Sequence, residues 1–263
     1  MKTLFTESGL RTFISKKKFQ LYLQPQVSME TGAVTGAEAS VRLKTKNREI
    51  QIPDRFFEGL KQGGVFYLLD LYVIRLVCQQ LTEWQNCCLE PVEISVKLSP
   101  CTMEREDLCE QIEEIIGKYP NAVSWLRIQV SGTNQIEDWE LFRNNCRKLV
   151  LLGMGLSVDG YGSRMTENSL LLEPWFDEIR IDESLTRKIE SRTMDFLKVT
   201  VILDLCRREG KRVVAEGINQ KEQYRILKNM GCSRMEGSFA GTPLAAGQFE
   251  YGYLDSAFAM NII

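Results

Sequence analysis

Four carboxylates, Glu38, Asp159, Glu216 and Glu236, fall at the C-terminal ends of segments that read as β-strands. Lys97, Gln129 and the pair Arg180 and Asp182 hold corresponding places on other segments, and Arg42 lies four residues past Glu38. Buried strands seldom carry charge at one end so consistently, although residues that merely solvate a rim would leave the same trace. The 263-residue chain contains no histidine. That removes Ser-His-Asp and Cys-His nucleophilic chemistry and His-based zinc sites together. A metal centre would need oxygen ligands or thiolates, and a general base would be a carboxylate, lysine, tyrosine or cysteine.

The elements that position these residues alternate in type. Leu21–Gln24 and Val34–Leu43 read as a strand pair turning at Glu30-Thr31-Gly32. Apolar residues then recur at helical spacing from Val65 to Trp84. Strand segments follow at Val92–Leu98, Trp125–Val130, Gly155–Asp159, Phe176–Ile181 and Arg212–Glu216. Amphipathic helices are expected between them near 104–118, 137–152, 166–172, 188–209 and 220–230. A short strand at Arg234–Glu236 and a helix after Pro243 close the series. This alternation predicts a parallel sheet, and its unbroken repetition favours a closed α/β barrel, whose functional residues gather at the C-terminal strand ends.

Composition narrows the field. Hydrophobic residues make up 44%, enough for a sizeable core, and a net charge of −2 gives no footprint for direct nucleic-acid binding. No stretch reaches the ~20 apolar residues of a membrane span, and Met1–Thr6 lacks a signal-peptide core. The eight cysteines include no C-x-x-C pair, so reduced thiols and a cytoplasmic setting are the expectation.

Glu38-Ala39-Ser40-Val41-Arg42, preceded by Gln24-Pro25, resembles the signature of the EAL family, bacterial domains that bind and hydrolyse cyclic di-GMP. The segment Val92–Ser99 looks like I-S-V-N-L-S, and Gln129-Val130-Ser131-Gly132 stands at E-x-T-E. Asp159-Gly160-Tyr161-Gly162-Ser163-Arg164 corresponds to D-D-F-G-T-G, and Ile179–Asp182 to L-K-I-D. Val213–Gly217 matches V-A-E-G-V, Glu236-Gly237-Ser238 stands at Q-G-Y, and Pro243-Leu244 follows in place. The resemblance implies a TIM-type (β/α)8 barrel with its first strand antiparallel to the rest. It further implies one EAL-like domain over residues 1–263, with residues 1–19 as a lead-in helix, as part of a longer multidomain protein or alone.

The departures bear on activity. The resemblance implies two divalent cations held by carboxylates and an asparagine, which activate a bridging water. Glu38, Asp159 and Glu216 keep three of those acids. Lys97 stands for the asparagine, Gln129 for a glutamate, Gly160 for the second aspartate, Arg180 for a lysine and Glu236 for a glutamine. At these eight positions the family pattern carries five negatives and one positive, net −4. This chain carries four negatives and two positives, net −2.

An ammonium ~4 Å from a divalent cation repels it by several kcal/mol at an effective dielectric near ~20. Lys97 is therefore expected to act as an internal substitute cation, against the plainer reading of a lysine leaning out of the barrel mouth. Arg180 is a poor replacement for a compact ammonium. Glu236 would add a negative charge facing a dianionic ligand. Gly132 removes an acid that would hold the loop after Asp159.

Gln24, Arg42 and Asp182 remain as ligand-binding residues, with Arg42 equally suited to pair with Glu38 or Asp159. Tyr161 and Pro174-Trp175 offer aromatic surface at the mouth, or core packing. The expected function is that of a degenerate EAL domain, without catalytic residues or metal, binding a regulatory protein. The alternatives are a metal-independent cyclic di-GMP receptor and an active phosphodiesterase using Mg2+ or Mn2+. Homodimerisation is a habit of the family.

Overall fold

Along each barrel strand, residues of opposite character alternate. Glu93, Ser95 and Lys97 lie on one face of their strand, and Ile94, Val96 and Leu98 on the other; Ser157 and Asp159 alternate with Leu156 and Val158. Because strand side chains point to opposite faces with period two, every such strand has a polar and an apolar side. The apolar sides face the helices, and the hydrophobic core forms in that outer layer, from Ile94, Ile128, Val158, Ile179 and Val213 to Phe142, Val199 and Leu227. The polar sides face inward.

The computed structural model describes residues 5–45 and 49–254. Its strands are β1 (Phe19–Ser28), β2 (Val34–Lys44), β3 (Glu49–Gln51), β4 (Glu93–Leu98), β5 (Leu126–Val130), β6 (Gly155–Tyr161), β7 (Glu178–Ile181), β8 (Arg212–Ala215), β9 (Arg234–Glu236) and β10 (Leu244–Ala245). β2 pairs with β4 in parallel, and parallel pairing continues in order to β9. β1 is antiparallel to both β2 and β9, and it closes the eight-stranded barrel. β3 and β10 add antiparallel edges to β2 and β1.

The sequence expectation of a (β/α)8 barrel with a reversed first strand holds. Several details differ. The lead-in helix spans only Glu7–Ser15, with Thr6 as its N-cap. The expected helix at 166–172 is a single 3-10 turn, Asn168–Leu172, and the segment expected at 188–209 is helical over Thr193–Arg208. The strand expected from Phe176 begins at Glu178. Sequence reading passed over β3, β10 and the helix Asp54–Gln62. The expected C-terminal helix is Ala246–Phe249, continuing as a π turn to Leu254; its further extent lies outside the described residues.

The barrel interior is filled by charges in two tiers. In the lower tier Arg127, its side chain 3% exposed, meets Glu93 at 2.9 Å and Asp177 at 2.5 Å. Arg212 and Arg234 also reach Glu93, at 3.2 and 3.1 Å, and the buried Glu178 lies 3.7–3.8 Å from all three guanidinium groups. Gly155 makes this packing possible, because a Cβ there would stand 2.6 Å from the Arg127 guanidinium. Three acids balance three arginines, so the tier is neutral and serves as a packed ionic floor. The upper tier has no such balance.

Candidate functional site

The upper tier joins the strand ends. Neighbouring strands bring Gln24 level with Glu38, Gln26 level with Glu236, and Lys97 level with Gln129. Arg180, on β7, has no exposed side-chain surface. Its Nη2 lies 2.8 Å from Glu38, 2.7 Å from Glu216 and 2.8 Å from Glu236, and its Nε is 3.7 Å from Asp159. One guanidinium thus touches all four carboxylates of the tier. The fork geometry that makes arginine a poor point charge is what lets it reach several acids together.

Lys97 is the second cation. Its Nζ stands 3.1 Å from Asp159 and 3.8 Å from Glu38, with 45% of the side chain exposed. It therefore fulfils part of each sequence reading, pairing with the acids from the edge of the mouth. The centre belongs to Arg180. Gln129 is fully buried and donates from Nε2 to Glu38 at 3.0 Å and Asp159 at 2.6 Å, so the amide bridges the acids instead of ligating with them. Gln26 donates to Glu236 at 3.1 Å and to Ser95 Oγ at 3.3 Å. Sequence reading missed Gln26; its place two residues after Gln24, on the same face of β1, was the available signal.

The Glu236 carboxylate is turned into the network and held by Arg180 and Gln26. The Arg180 and Glu236 departures compensate each other, a buried cation with a largely buried anion. Four acids still outnumber two bases. Burial together with the neighbouring carboxylates holds Glu216 well above the ordinary range and Glu236 at about 7, against the pull of Arg180. Asp159 moves the other way, lowered by Lys97 and Arg180 despite its burial. Lys97 is raised, first by Glu38.

Beyond the acids opens a cavity of about 1290 Å3. Arg42, Lys61, Arg164, Arg192 and Lys198 contribute cations to its lining, and Asp70, Asp182 and Asp195 contribute acids. Arg42 pairs with neither Glu38 nor Asp159; its guanidinium lies over the Tyr22 ring at 3.8 Å. Asp182 caps the turn after β7 by accepting from Ser184 N at 2.9 Å. Gln24 donates to Gly237 O and Gly241 O, and it lines a smaller recess of about 330 Å3 with Glu216 and Glu236. Tyr161 and Trp175 lie outside the cavity lining. Tyr161 is buried with its hydroxyl on Asn168 O, and Trp175 packs against the core under Arg147.

Asp70 was also missed. It is buried on the helix Phe66–Asn86 and accepts from Ser99 N, Ser99 Oγ and Thr102 Oγ1 at 2.6–3.0 Å. Burial raises its carboxyl to about 6. The loop after Asp159 is held without the acid that Gly132 replaces. Glu167 N donates to Thr133 Oγ1 at 2.8 Å, and Asn134 N to Met165 O at 3.2 Å. Gly160 has φ +60°, and a Cβ there would make ordinary contact with Asp182, Ser163 and Thr166.

These side chains do not fit a two-cation centre. The space between Glu38, Asp159 and Glu216 is crossed by Arg180 and edged by Lys97. Among the described residues, no three acids or thiols are arranged to hold one ion together.

The EAL domain model matches residues 7–243. The chain belongs to the EAL family. Among curated relatives of this EAL domain, the oxygen sensor protein DosP of Escherichia coli is 27% identical over 97% of the chain and 32% of its own length. A cyclic di-GMP phosphodiesterase of Pseudomonas aeruginosa is 25% identical over 90% of the chain and 40% of its own length. The chain spans about a third of the length of the first curated relatives it matches. Among solved structures, the PaMucR phosphodiesterase in its c-di-GMP complex superposes with a TM-score of 0.82 at 23% identity, covering 92% of this chain and 98% of that one. The c-di-GMP-bound FimX EAL domain of Xanthomonas citri gives 0.79 at 17%, covering 90% and 92%. At such identities the superpositions establish a shared fold.

The raised carboxylates give the EAL domain a measurable pH dependence. Without histidine, nothing else in the side-chain inventory ordinarily titrates between pH 5 and 7.5. Asp70, Glu216 and Glu236 carry folded pKa values above their unfolded ones. Their contribution is full below the ordinary carboxylate range and is lost as pH rises through about 6 for Asp70 and about 7 for Glu236. Urea unfolding should therefore show stability falling by on the order of 2 kcal/mol from pH 5 to 7.5. A flat profile would contradict the buried, over-negative tier.

Proposed function

We propose that this chain is a catalytically degenerate EAL domain that acts by binding a regulatory protein in bacterial cyclic di-GMP-related signalling, in the cytoplasm. One observation carries the reading: the carboxylates that would hold metal are all in contact with the Arg180 guanidinium. A metal bridging them would have to displace a buried arginine and leave it unpaired, which costs several kcal/mol. We assign Glu38, Asp159 and Glu216 as remnants of a metal site, neutralised by Lys97 and Arg180. Residues 1–263 are read as a single domain, alone or as part of a longer protein.

A specific feature favours a second reading, a metal-independent cyclic di-GMP receptor. The large cavity keeps Arg42, Lys61, Arg164, Arg192 and Lys198 in its lining, and we retain Arg42 and Asp182 there, with Gln24 in the smaller recess, as ligand-binding residues. An active phosphodiesterase would need Mg2+ or Mn2+, for which the upper tier offers no free set of acids.

Calorimetry with cyclic di-GMP, with EDTA and then with Mg2+ or Mn2+, separates these readings. Binding of equal affinity in both conditions supports the receptor. No heat in either condition leaves protein binding as the function. Affinity that depends on the divalent ion contradicts both readings.

A further inference from the structure

Among the described residues the ion pairs of the two tiers keep apart. Arg180 reaches only upper acids, whereas Arg127, Arg212 and Arg234 reach only lower ones. Glu178 and Arg180 alternate with Ile179 and Ile181 on β7, so both project into the barrel, one above the other. β6 sets Ser157 level with Gln129 on β5 and with Glu178 on β7. Gln129, Ser157, Glu178 and Arg180 thus form one contiguous patch of the inner wall, and none of them has exposed surface. Unpaired polar atoms concentrate there. Gln129 Oε1, Ser157 Oγ, both Glu178 oxygens and Arg180 Nη1 are buried without a hydrogen-bond partner in the protein, five of the nine such side-chain atoms among the described residues. Glu178 stands 3.7–3.8 Å from the three lower guanidinium groups, too far for a hydrogen bond. Buried polar groups are nearly always paired, because an unpaired one has given up its water for nothing.

These atoms define what can join them. Arg180 Nη1 only donates, Gln129 Oε1 and the ionised Glu178 carboxylate only accept, and Ser157 Oγ does either. An ion cannot meet this set: a cation would face the Arg180 guanidinium, and an anion the Glu178 carboxylate. A small neutral molecule that both donates and accepts can meet it, in the room that a serine leaves among longer side chains. We propose that the barrel encloses a structural water site between its two tiers, in which water accepts from Arg180 Nη1 and donates to Glu178 and Gln129, with Ser157 as a further partner. Buried waters of this kind make about three hydrogen bonds each and belong to the fold. The site holds Arg180 from a second side. Its Nε and Nη2 are fixed by the upper acids, and its Nη1 is tied through water to the ionic floor.

High-resolution diffraction from crystals of the full chain should show a density peak within ~3.2 Å of Arg180 Nη1 and of Gln129 Oε1 or Glu178. That measurement needs no variant. In solution, relaxation dispersion of the water signal should report a long-lived internal water that Ser157→Val removes. Urea unfolding supplies the energetic arm. Ser157→Ala keeps the room for water and should raise the unfolding constant by less than ~10-fold. Ser157→Val fills that room with methyl groups and strands Arg180 Nη1 and Glu178, so it should raise the constant by more than ~30-fold. A dry layer would give the reverse order, since valine would then only fill apolar space. Three results overturn the proposal: the four side chains hydrogen-bonded directly with no peak between them, a peak that strengthens when Na+ is exchanged for Rb+ and so marks a cation, or a valine variant at least as stable as the alanine one.

Discussion

Arg180→Met should destabilise the domain by about 3–5 kcal/mol, because the fully buried guanidinium is the common partner of four acids, Asp159 buried and the other three largely so. Methionine fills a similar volume, so the loss reports charge and hydrogen bonding more than a cavity. For a chain of this size that corresponds to a fall in Tm of roughly 10 °C. The loss should depend on pH with a definite sign. Without Arg180, Glu216 and Glu236 are driven further above their unfolded pKa values, so the variant loses more stability at pH 8 than at pH 5. Arg180→Lys keeps the charge but reaches fewer acids and should fall between the two. If Arg180→Met melts like the parent at both pH values, the guanidinium is not what holds the tier together.

The second large effect concerns metal. Replacing Lys97→Asn alone removes the cation at the rim and leaves the one at the centre. Mn2+ affinity should change by less than ~10-fold, and no hydrolytic activity should appear. Reverting five positions together, Lys97→Asn, Gln129→Glu, Gly160→Asp, Arg180→Lys and Glu236→Gln, returns the site charge from −2 to −4 and clears its centre. Mn2+ affinity should then rise by more than ~100-fold, the scale set by several kcal/mol of relieved repulsion. The Gly160 change is tolerable because aspartate accepts left-handed backbone better than most residues and open contact distances surround the position. Calorimetry reads the affinity, and a Tm raised by Mn2+ gives an independent check that the variant is folded. Saturable Mn2+ binding by the Lys97→Asn variant alone would contradict the central place given to Arg180.

The barrel was legible because period-two strands and helical spacing are local signals, and because the motif residues recur at strand ends in order. The reversed first strand came through resemblance, since no spacing in β1 encodes its direction. The short elements Glu49–Gln51 and Asp54–Gln62 were not legible: the first is a three-residue edge and the second follows Pro53, an N-cap that offers no side-chain hydrogen bond. At the site, Lys97 was read as a cation set among the acids, and it does pair with Asp159 and Glu38, whereas Arg180 was read one position at a time, as a faulty lysine. Its role depends on Glu236 and Glu38, 56 and 142 residues away in sequence, which only barrel closure brings within 2.8 Å. Gln26 and Asp70 carried no motif and became visible only through their partners. Arg42 shows the converse: a motif residue whose contact, the Tyr22 ring, lies across β1 and β2 and not in the acid cluster.

The central claim is that the carboxylates of this EAL domain are occupied by the protein's own cations. Incubation of the full chain with cyclic di-GMP and saturating Mn2+, with separation of the products by chromatography, tests it most directly. The arrangement of Arg180 and Lys97 predicts no linear dinucleotide above the protein-free control. Repeated turnover to that product would contradict it.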